Sequence, residues 1–168
     1  MYSNIIEISG KSKSLKWKEF NFPCNIGIGG ISSNKIEGDK CTPSGTYPLR
    51  EIMYRADRVK NLNTTVKKIK INKNFKWCDD PTDRNYNKFL IGPYESSYES
   101  IWREDNLYDL LVVIGYNDNP IVPYSGSAIF IHCEAKLKTP TKGCISLKKE
   151  QLLQLVETID DQTQIKIF

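Results

Sequence analysis

Short apolar runs separated by turn residues constrain the fold of this chain more than any other feature of its sequence. Runs of this length, with Gly, Pro, Asn and Ser between them, are typical of β-strands in a mostly antiparallel sheet or barrel. The strands predicted on this basis cover residues 5–8, 24–28, 46–54, 67–71, 110–114, 128–131 and 164–168. Pro48 lies inside one of them, and because proline cannot donate to a sheet ladder it predicts an edge position or a bulge there.

Helical periodicity is clear in only one segment. Leu152, Leu155, Val156 and Ile159 recur at the spacing of one helix face, which predicts a helix over residues 148–159. A second, weaker helix is predicted near residues 95–102. With 168 residues the chain has the size of one domain, so we expect a single domain over residues 1–168. The sequence therefore predicts a mainly β domain with few helices.

The composition excludes several classes of protein. Hydrophobic residues make up 39% of the chain and charged residues 26%, which is ordinary for a soluble domain. No apolar run approaches the roughly 18 residues of a membrane span. The first residues show no basic stretch followed by an apolar one, so we expect no export signal. If the native chain begins at Met1, we expect a cytoplasmic protein with no stable membrane association, whose oligomeric state these features leave open.

The charge pattern argues against a nucleic-acid partner. The net charge is +4, from 24 Lys and Arg against 20 Asp and Glu. Residues 58–76 hold seven basic residues and no acid, whereas residues 77–109 hold eight acids and three bases. A surface for single-stranded nucleic acid needs aromatic residues interleaved with the bases, and they occur only at the end of the basic segment. We therefore expect two solvated faces.

The cysteines indicate a reducing environment. There are five, no pair stands at C-x-x-C spacing, and an odd number cannot all be paired within one chain. A disulfide framework and a zinc ribbon are both disfavoured by this pattern. The question is therefore whether one of the thiols is reactive. The five residues are Cys24, Cys41, Cys78, Cys133 and Cys144.

One pair of residues has the chemistry of a nucleophilic site. His132 is the only histidine and ends an apolar run, and Cys144 follows twelve residues later, just before the predicted helix. An imidazole can take the proton of a thiol, and a helix N-terminus lowers a thiol's pKa. Gly143 and Cys144 supply backbone N–H groups that could face a developing oxyanion, and Lys142 adds positive charge. The pattern thus predicts acyl transfer with Cys144 as nucleophile and His132 as base.

Other interpretations of the same residues stay open on spacing alone. A histidine at a strand end is often structural, and a cysteine before a helix is often a small buried apolar residue. Cys133 neighbours His132, but adjacent residues on a strand point to opposite faces, so we expect Cys133 in the core. The same geometry disfavours a metal site built from His132, Cys133 and Cys144.

These residues resemble the YkuD-type L,D-transpeptidase catalytic domain family. The central resemblance is a strand-end His, a variable loop, and then Ser/Thr-x-Gly-Cys with a hydrophobic residue after it. Similar segments extend over nearly the whole chain, and they resemble one subfamily closely. The matching segments are GIGG (27–30), EGDKCTPSGTYPL (37–49), YRADR (54–58), WCDDPTDRNYN (77–87), IWREDNLYDLLVVIGYN (101–117), IFIHC (129–133) and TPTKGCISL (139–147).

The resemblance implies both a fold and a reaction. The implied fold is a curved sheet or β-sandwich with the cysteine in a cleft. The implied reaction is attack on the carbonyl of the L-centre of a diamino acid, where a peptidoglycan stem peptide joins its terminal D-Ala. The resemblance makes Cys144 the nucleophile, His132 the general base and acid, and Gly143 the oxyanion-loop glycine. It implies no cofactor and no metal.

Three features depart from the family pattern. Lys142 stands where the family often has His, and Ser146 stands where many members have Arg. The loop between His132 and Cys144 is also shorter than in many cross-linking members. These departures concern how the substrate is held, because the free carboxylates of a stem peptide need basic partners.

Five residues are predicted to bind the substrate. Arg55 and Arg103 lie in segments that match the subfamily, and a guanidinium can hold a carboxylate through two parallel bonds. Lys142 is beside the nucleophile. Tyr54 and Tyr116 are candidates for the wall of the cleft, with core packing as the alternative for each.

The acceptor that takes the acyl group from the cysteine distinguishes two kinds of enzyme. Transfer of the acyl group to an amine gives a cross-link, and transfer to water gives carboxypeptidase action. Members without an export signal resemble enzymes that trim D-Ala from tetrapeptide or muropeptide fragments, so we predict an L,D-carboxypeptidase of peptidoglycan recycling. The alternatives are a periplasmic L,D-transpeptidase whose signal is missing here and a non-catalytic peptidoglycan-binding module.

Overall fold

The structure is a computed structural model, and it describes residues 4–137 and 139–168. Those residues form fourteen strands and one helix, so the predicted mainly β fold is confirmed. That residues 1–168 form one domain stays a prediction. The elements are β1 (Ile5–Ser9), β2 (Ser14–Trp17), β3 (Phe20–Pro23), β4 (Ile31–Ser32), β5 (Thr42–Pro43), β6 (Gly45–Tyr54), β7 (Lys68–Lys70), β8 (Phe75–Cys78), β9 (Phe89–Ile91), β10 (Tyr98–Ser100), β11 (Leu110–Ile114), β12 (Phe130–Cys133), β13 (Ile145–Leu147), α1 (Lys149–Val156) and β14 (Gln164–Ile167).

Nine strands form one curved sheet. Its order is β13-β12-β11-β6-β14-β1-β2-β3, and β7 pairs with β6 in addition. The first residues of β6 pair with β14 and its last residues with β11, whose register shifts between Val112 and Ile114. A bulge of this kind bends a strand and increases its twist. The extra residue is on β6, where Arg50 and Glu51 stand opposite Val113 alone, so the predicted bulge lies just after Pro48. The alternative, an edge position, does not occur because β6 is interior.

Alternation along the central strands divides the buried side chains between two faces of the sheet. On β12, Ile131 and Cys133 join a core cluster that includes the apolar side of α1, and we call this the helix face. Phe130 joins a second cluster with Trp77 and other aromatic residues, and we call this the aromatic face. Since residues two apart on a strand share a face, His132 lies on the aromatic face with Phe130.

The second predicted helix, near residues 95–102, is wrong. The segment contains β10, which pairs antiparallel with β8 and sets Glu99 opposite Trp77. Only Ile101 of these residues is an apolar side chain buried from solvent, so the segment lacks the apolar stripe that holds a helix to a core. Strands β8, β9 and β10 instead form a three-stranded sheet, and Phe75 and Trp77 of β8 pack into the aromatic face.

The predicted strand at residues 24–28 is reduced to two isolated bridges. Asn25 pairs with Ser146 in an antiparallel bridge, and Gly27 pairs with Thr141 in a parallel one. The Asn25 side-chain amide also donates to Ser146 Oγ at 3.1 Å. This segment therefore fastens the stretch on either side of Cys144.

The predicted helix is confirmed with an earlier end. It covers Lys149–Val156, and the chain turns at Glu157, whose amide still donates to a helix carbonyl. Ile159 is buried although it lies beyond the end of the helix. The apolar spacing that predicted helix up to residue 159 therefore reflects the burial of Ile159 and not a helical conformation. In the described part of the chain, no helix is long and apolar enough to cross a membrane.

Candidate active site

Cys144 and His132 lie near each other in the fold because of two paired strands. β12 and β13 are parallel neighbours, with His132 opposite Ser146. Cys144 lies two residues before Ser146, and it packs against the aromatic face. Both side chains line one cavity of about 630 Å³. The structure thus brings the two predicted catalytic residues to the same space.

The hydrogen bond of the imidazole fixes which nitrogen can act as a base. His132 Nδ1 lies 2.8 Å from the carbonyl oxygen of Cys133. A carbonyl oxygen only accepts, so Nδ1 carries the proton and Nε2 keeps its lone pair in the neutral ring. The ring also meets Tyr108 edge to face, with the centroids 5.4 Å apart. Burial lowers the pKa of His132 to about 4, so the ring is neutral near pH 7.

The thiol of Cys144 is held in its protonated form. Its Sγ donates to the carbonyl of Ala128 at 3.2 Å and lies 3.4 Å from the amide of Phe130, which donates to it. Burial raises the thiol's pKa to about 12. The expected help from a helix N-terminus is wrong, because β13 separates Cys144 from α1, which begins at Lys149. A nucleophilic role for Cys144 would therefore require a base that takes its proton.

Gly143 occupies a position that only glycine fits comfortably. Its φ is +138°, and a Cβ there would lie 2.9 Å from the carbonyl oxygen of Cys41. Thr42 Oγ1 donates to the Gly143 carbonyl at 2.8 Å, and the Gly143 amide donates to Thr141 Oγ1 at 3.2 Å. The backbone before Cys144 is therefore held on both sides. An oxyanion hole at these amides stays a prediction.

A buried asparagine supports the loop that holds the thiol. Asn87 Oδ1 accepts from Trp77 Nε1 at 2.9 Å and from the amide of Ala128 at 3.1 Å. Its Nδ2 donates to the carbonyls of Tyr116 and Asn117 at 3.0 and 2.8 Å. Ala128 has a φ of +53°, which is uncommon for alanine and needs such support. Sequence reasoning missed Asn87, although it ends a segment that matches the family.

Arg55 is not brought to the cavity. Its side chain is 4% exposed, and Nε and Nη2 donate to Asp57 at 2.8 and 2.7 Å. Nη1 donates to the carbonyl of Arg103 at 2.7 Å, and the guanidinium stacks 3.4 Å from the ring centre of Trp102. The three nitrogens are thus all engaged in holding neighbouring loops together.

Arg103 and Lys142 do line the cavity. Arg103 Nη2 donates to Asp105 at 2.6 Å and Nη1 to Glu99 at 3.1 Å. A guanidinium has five N–H groups, so each terminal nitrogen of Arg103 keeps a second donor. Lys142 is exposed at the cavity rim. These two residues are the predicted cations that the structure places near Cys144.

The two predicted tyrosines lie elsewhere. Tyr54 is buried in the core on the helix face. Tyr116 packs edge to face on Tyr47 at 5.3 Å, and its hydroxyl donates to the carbonyl of Ser125. Tyr116 lines a separate cavity of about 320 Å³. Neither tyrosine lines the cavity that contains Cys144.

The cavity contains residues that the sequence did not single out. Tyr108 is buried, and its hydroxyl donates to Glu99 Oε1 at 3.1 Å. Arg103 donates to the same oxygen, so Glu99 links Arg103 to the tyrosine that packs on His132. Lys35 is also buried, with Nζ 2.7 Å from Asp39 Oδ1. The only sequence signal for these residues was their place in matching segments or near them. The further lining residues include Glu37, Lys40, Asp79 and Ser127.

Cys133 lies in the core of the helix face, as strand alternation predicted. Its Sγ donates to the carbonyl of Leu110 at 3.6 Å, and burial raises its pKa to about 12. Among residues 4–137 and 139–168, no group of three or more His, Cys, Asp and Glu side chains could hold a metal ion. Cys133 does not line the cavity that contains His132 and Cys144.

Two solved structures share the fold of this chain at low sequence identity. "Structure of Bdellovibrio bacteriovorus Bd1075" superposes with a TM-score of 0.52 at 18% identity, over 99% of this chain and 48% of that one. The helical cell shape determining protein Pgp2 from Campylobacter jejuni superposes with a TM-score of 0.51 at 16% identity, over 97% of this chain and 46% of that one. The chain spans about half the length of these two proteins.

No curated protein sequence matches the chain. The family described as "L,D-transpeptidase catalytic domain", YkuD, matches residues 4–167, which is nearly the whole chain. Members are cysteine-dependent enzymes that act on peptidoglycan. The match contains the cysteine, the histidine and the loop glycine described above. With a mainly β fold and a Cys–His pair in one cavity, the chain belongs to the YkuD family of L,D-transpeptidase catalytic domains.

Proposed function

We propose that this protein is an L,D-carboxypeptidase that removes the terminal D-Ala from peptidoglycan tetrapeptides. The observation that carries the proposal is the placement of Cys144 and His132 in one cavity, with the Nδ1 proton of His132 bound to a carbonyl and Nε2 free to act. Family membership supports peptidoglycan as the substrate class.

Acylation follows from this arrangement. As Sγ of Cys144 attacks the carbonyl carbon of the diamino acid, its proton passes to Nε2 of His132. The carbonyl oxygen becomes an oxyanion, which amides beside Gly143 would stabilise. When the C–N bond to D-Ala breaks, the nitrogen of the leaving group takes the proton from Nε2. The products of this half-reaction are a thioester on Cys144 and free D-Ala.

Hydrolysis returns the enzyme to its starting state. A water molecule attacks the thioester carbon and gives one proton to Nε2 of His132. The C–S bond then breaks, and the proton passes from Nε2 to Sγ, which restores the thiol. The released product is the tripeptide with a free carboxyl group. His132 therefore serves as base and then acid in each half-reaction.

Cys144 and His132 rest as a neutral pair, so proton transfer from the thiol to the imidazole is uphill in the free enzyme. Both groups are uncharged near pH 7, because burial lowers the pKa of His132 and raises that of Cys144. A thiol in this state is protected from adventitious oxidation and alkylation, because the thiolate is the reactive form. Substrate binding and the developing oxyanion are then needed to favour the charged pair.

We propose Arg103 as the group that binds the carboxylate of the terminal D-Ala. Among the predicted cations it combines access to the cavity with a fixed position, since Asp105 and Glu99 hold its guanidinium. The free donors on its terminal nitrogens suit a carboxylate. Lys142, at the rim, supplies a second positive charge.

We also propose that the enzyme works on soluble fragments in the cytoplasm. All five cysteines are free, and Cys24, Cys78 and Cys133 are buried among core residues. Free thiols persist in a reducing compartment. Water is then the abundant acceptor, and the reaction ends in hydrolysis.

The test is incubation with a soluble tetrapeptide muropeptide, with and without an amine acceptor, followed by mass spectrometry. Loss of D-Ala in both samples, without an acceptor adduct, is the expected result. A dominant adduct would assign cross-linking instead, and an unchanged tetrapeptide would contradict the proposal. Cys144→Ala protein is the matched control for non-enzymatic cleavage.

A further inference from the structure

We propose that Asp79 binds the side-chain ammonium group of the substrate's diamino acid. This inference rests on the proposed function and deepens it, because it names the group by which the cavity distinguishes its donor peptide. It concerns a carboxylate that neither the nucleophile nor the base requires.

Asp79 follows directly after the end of β8. Phe75 and Trp77 of that strand pack into the aromatic face, and the strand ends at Cys78. The Asp79 amide donates to the carbonyl of Ser97 at 3.3 Å, which keeps this position in register with the segment before β10. Asp79 lines the same cavity as Cys144.

The Asp79 carboxylate differs from those of Asp80 and Asp83, because its Oδ1 makes no hydrogen bond within the described residues. This oxygen is also buried. In contrast, Asp80 Oδ1 accepts from the amide and hydroxyl of Thr82 at 2.9 and 2.7 Å. Asp83 Oδ1 accepts from the amide of Asn85 at 2.7 Å. Burying a carboxylate oxygen without a donor costs free energy, and an ammonium group bound at this carboxylate from the cavity that Asp79 lines would offset that cost.

The charges of the cavity wall indicate which donor fits. Arg103, Lys40 and Lys142 line the cavity and suit the carboxylates of a peptide, but none of the ion pairs within the described residues includes Asp79. No three-donor cluster suited to a metal includes it either, within those same residues. A compact ammonium with three N–H donors suits one carboxylate. The diamino acid of a stem peptide carries such a group on the residue that Cys144 attacks.

The experiment compares two tetrapeptides that differ in one group. One carries the diamino acid with its side-chain ammonium, and the other carries an isostere in which a methyl group replaces that ammonium. D-Ala release gives kcat/KM for the wild type, Asp79→Asn and Asp80→Asn. Asp80→Asn is the matched control, because it removes one negative charge at the adjacent position. The side-chain oxygen of the new asparagine can still accept the hydrogen bonds from Thr82.

The expected result is specific to one variant and one peptide. The wild type should prefer the ammonium peptide by about ten- to a hundredfold, the scale of a hydrogen bond between charged groups. Asp79→Asn should lose most of that preference and cleave the methyl peptide at the wild-type rate. Asp80→Asn should keep the preference. Thermal unfolding of each variant, together with the unchanged rate on the methyl peptide, separates recognition from a folding defect.

Five outcomes would overturn the proposal. Equal cleavage of both peptides by the wild type would show that the ammonium is not recognised, and it would leave the proposed function intact. A preference retained by Asp79→Asn, or equal losses on both peptides, would remove Asp79 from recognition. An effect seen only in the capture of an added amine acceptor would assign Asp79 to the acceptor. If the wild type cleaves neither peptide, the proposed function fails and this inference fails with it.

Discussion

The two faces of the sheet at β12 have similar thiols packed against them, in different surroundings. Cys133 lies on the helix face and Cys144 packs against the aromatic face, and burial raises the pKa of each to about 12. Their acidity therefore does not distinguish them. What differs is the surroundings, because Cys144 shares a cavity with His132 while Cys133 packs among aliphatic side chains.

If Cys144 is the nucleophile, as we propose, its position beside His132 distinguishes it from Cys133, and its acidity does not. A single step along a strand reverses the face of a side chain, so His132 and Cys133 point in opposite directions although they are adjacent. The helix face is covered by the apolar side of α1, and this packing contributes to the stability of the fold. The aromatic face ends in an open, charged cavity, where we propose that the reaction takes place.

The largest expected effect is the difference in activity between variants of the two thiols. Cys144→Ala should abolish release of D-Ala, because no other described thiol lines the cavity with His132. Cys133→Ala should keep kcat/KM and lower the free energy of unfolding, since it removes a buried atom from the core. D-Ala release and denaturant titration measure the two effects. An inactive but folded Cys133→Ala protein would contradict the assignment.

The second effect concerns the base. His132→Ala should lower the acylation rate by about 10²- to 10⁴-fold, the range for loss of a general base. In the wild type, kcat/KM should fall only as the pH drops through about 4, because burial lowers the pKa of His132 to about 4 and the neutral ring is the active form. Rates measured from pH 3 to 8 test this. An acid limb centred near pH 6.5 would indicate an imidazole in contact with water.

The third effect is on stability and uses the same histidine. Its pKa falls from 6.5 to about 4 on folding, so the unfolded chain binds more protons between these values. The stability that the neutral ring contributes is therefore complete above pH 6.5, declines as the pH falls below that value, and is fully lost by about pH 4. Over that window the wild type should lose about 3 kcal/mol more than His132→Gln. Urea titrations at pH 7, 5.5 and 4.5 measure the difference, and parallel losses would refute it.

Sequence reasoning located the elements whose pattern is local. The apolar run of β11 and the alternation at β12 predicted both strands and the opposite placement of Cys133 and His132. The helix near residues 148–159 was visible from its apolar spacing. The region of residues 95–102 was misread because β10 owes its form to its pairing with β8, which is a tertiary contact.

The two candidate catalytic residues could be predicted from the sequence, whereas most of the residues around them could not. The motif context identified Cys144 and His132, but it did not distinguish Arg55 from Arg103. Only the fold shows that Arg55 is enclosed by Asp57 and Trp102. Asn87 was invisible for the same reason, because its role depends on partners 10 to 41 positions away in sequence.

The smallest expected effect compares these two arginines. Arg103→Ala should lower kcat/KM on the free-acid tetrapeptide by about 1.5–3 kcal/mol, because a charged hydrogen bond to the D-Ala carboxylate is lost. Arg55→Ala should change kcat/KM little and lower the free energy of unfolding, since its guanidinium holds Asp57 and the carbonyl of Arg103 and lies outside the cavity.

Amidation of the terminal D-Ala gives the decisive control for Arg103. It removes the charge that Arg103 is expected to bind, so amidation and Arg103→Ala should together cost little more than either alone. Fully additive losses would mean that another group, such as Lys142, holds the carboxylate. If the amidated peptide is cleaved as fast as the free acid, the enzyme does not recognise the terminus. Cross-linking of longer acceptors would then become the better account of this aromatic-face cavity.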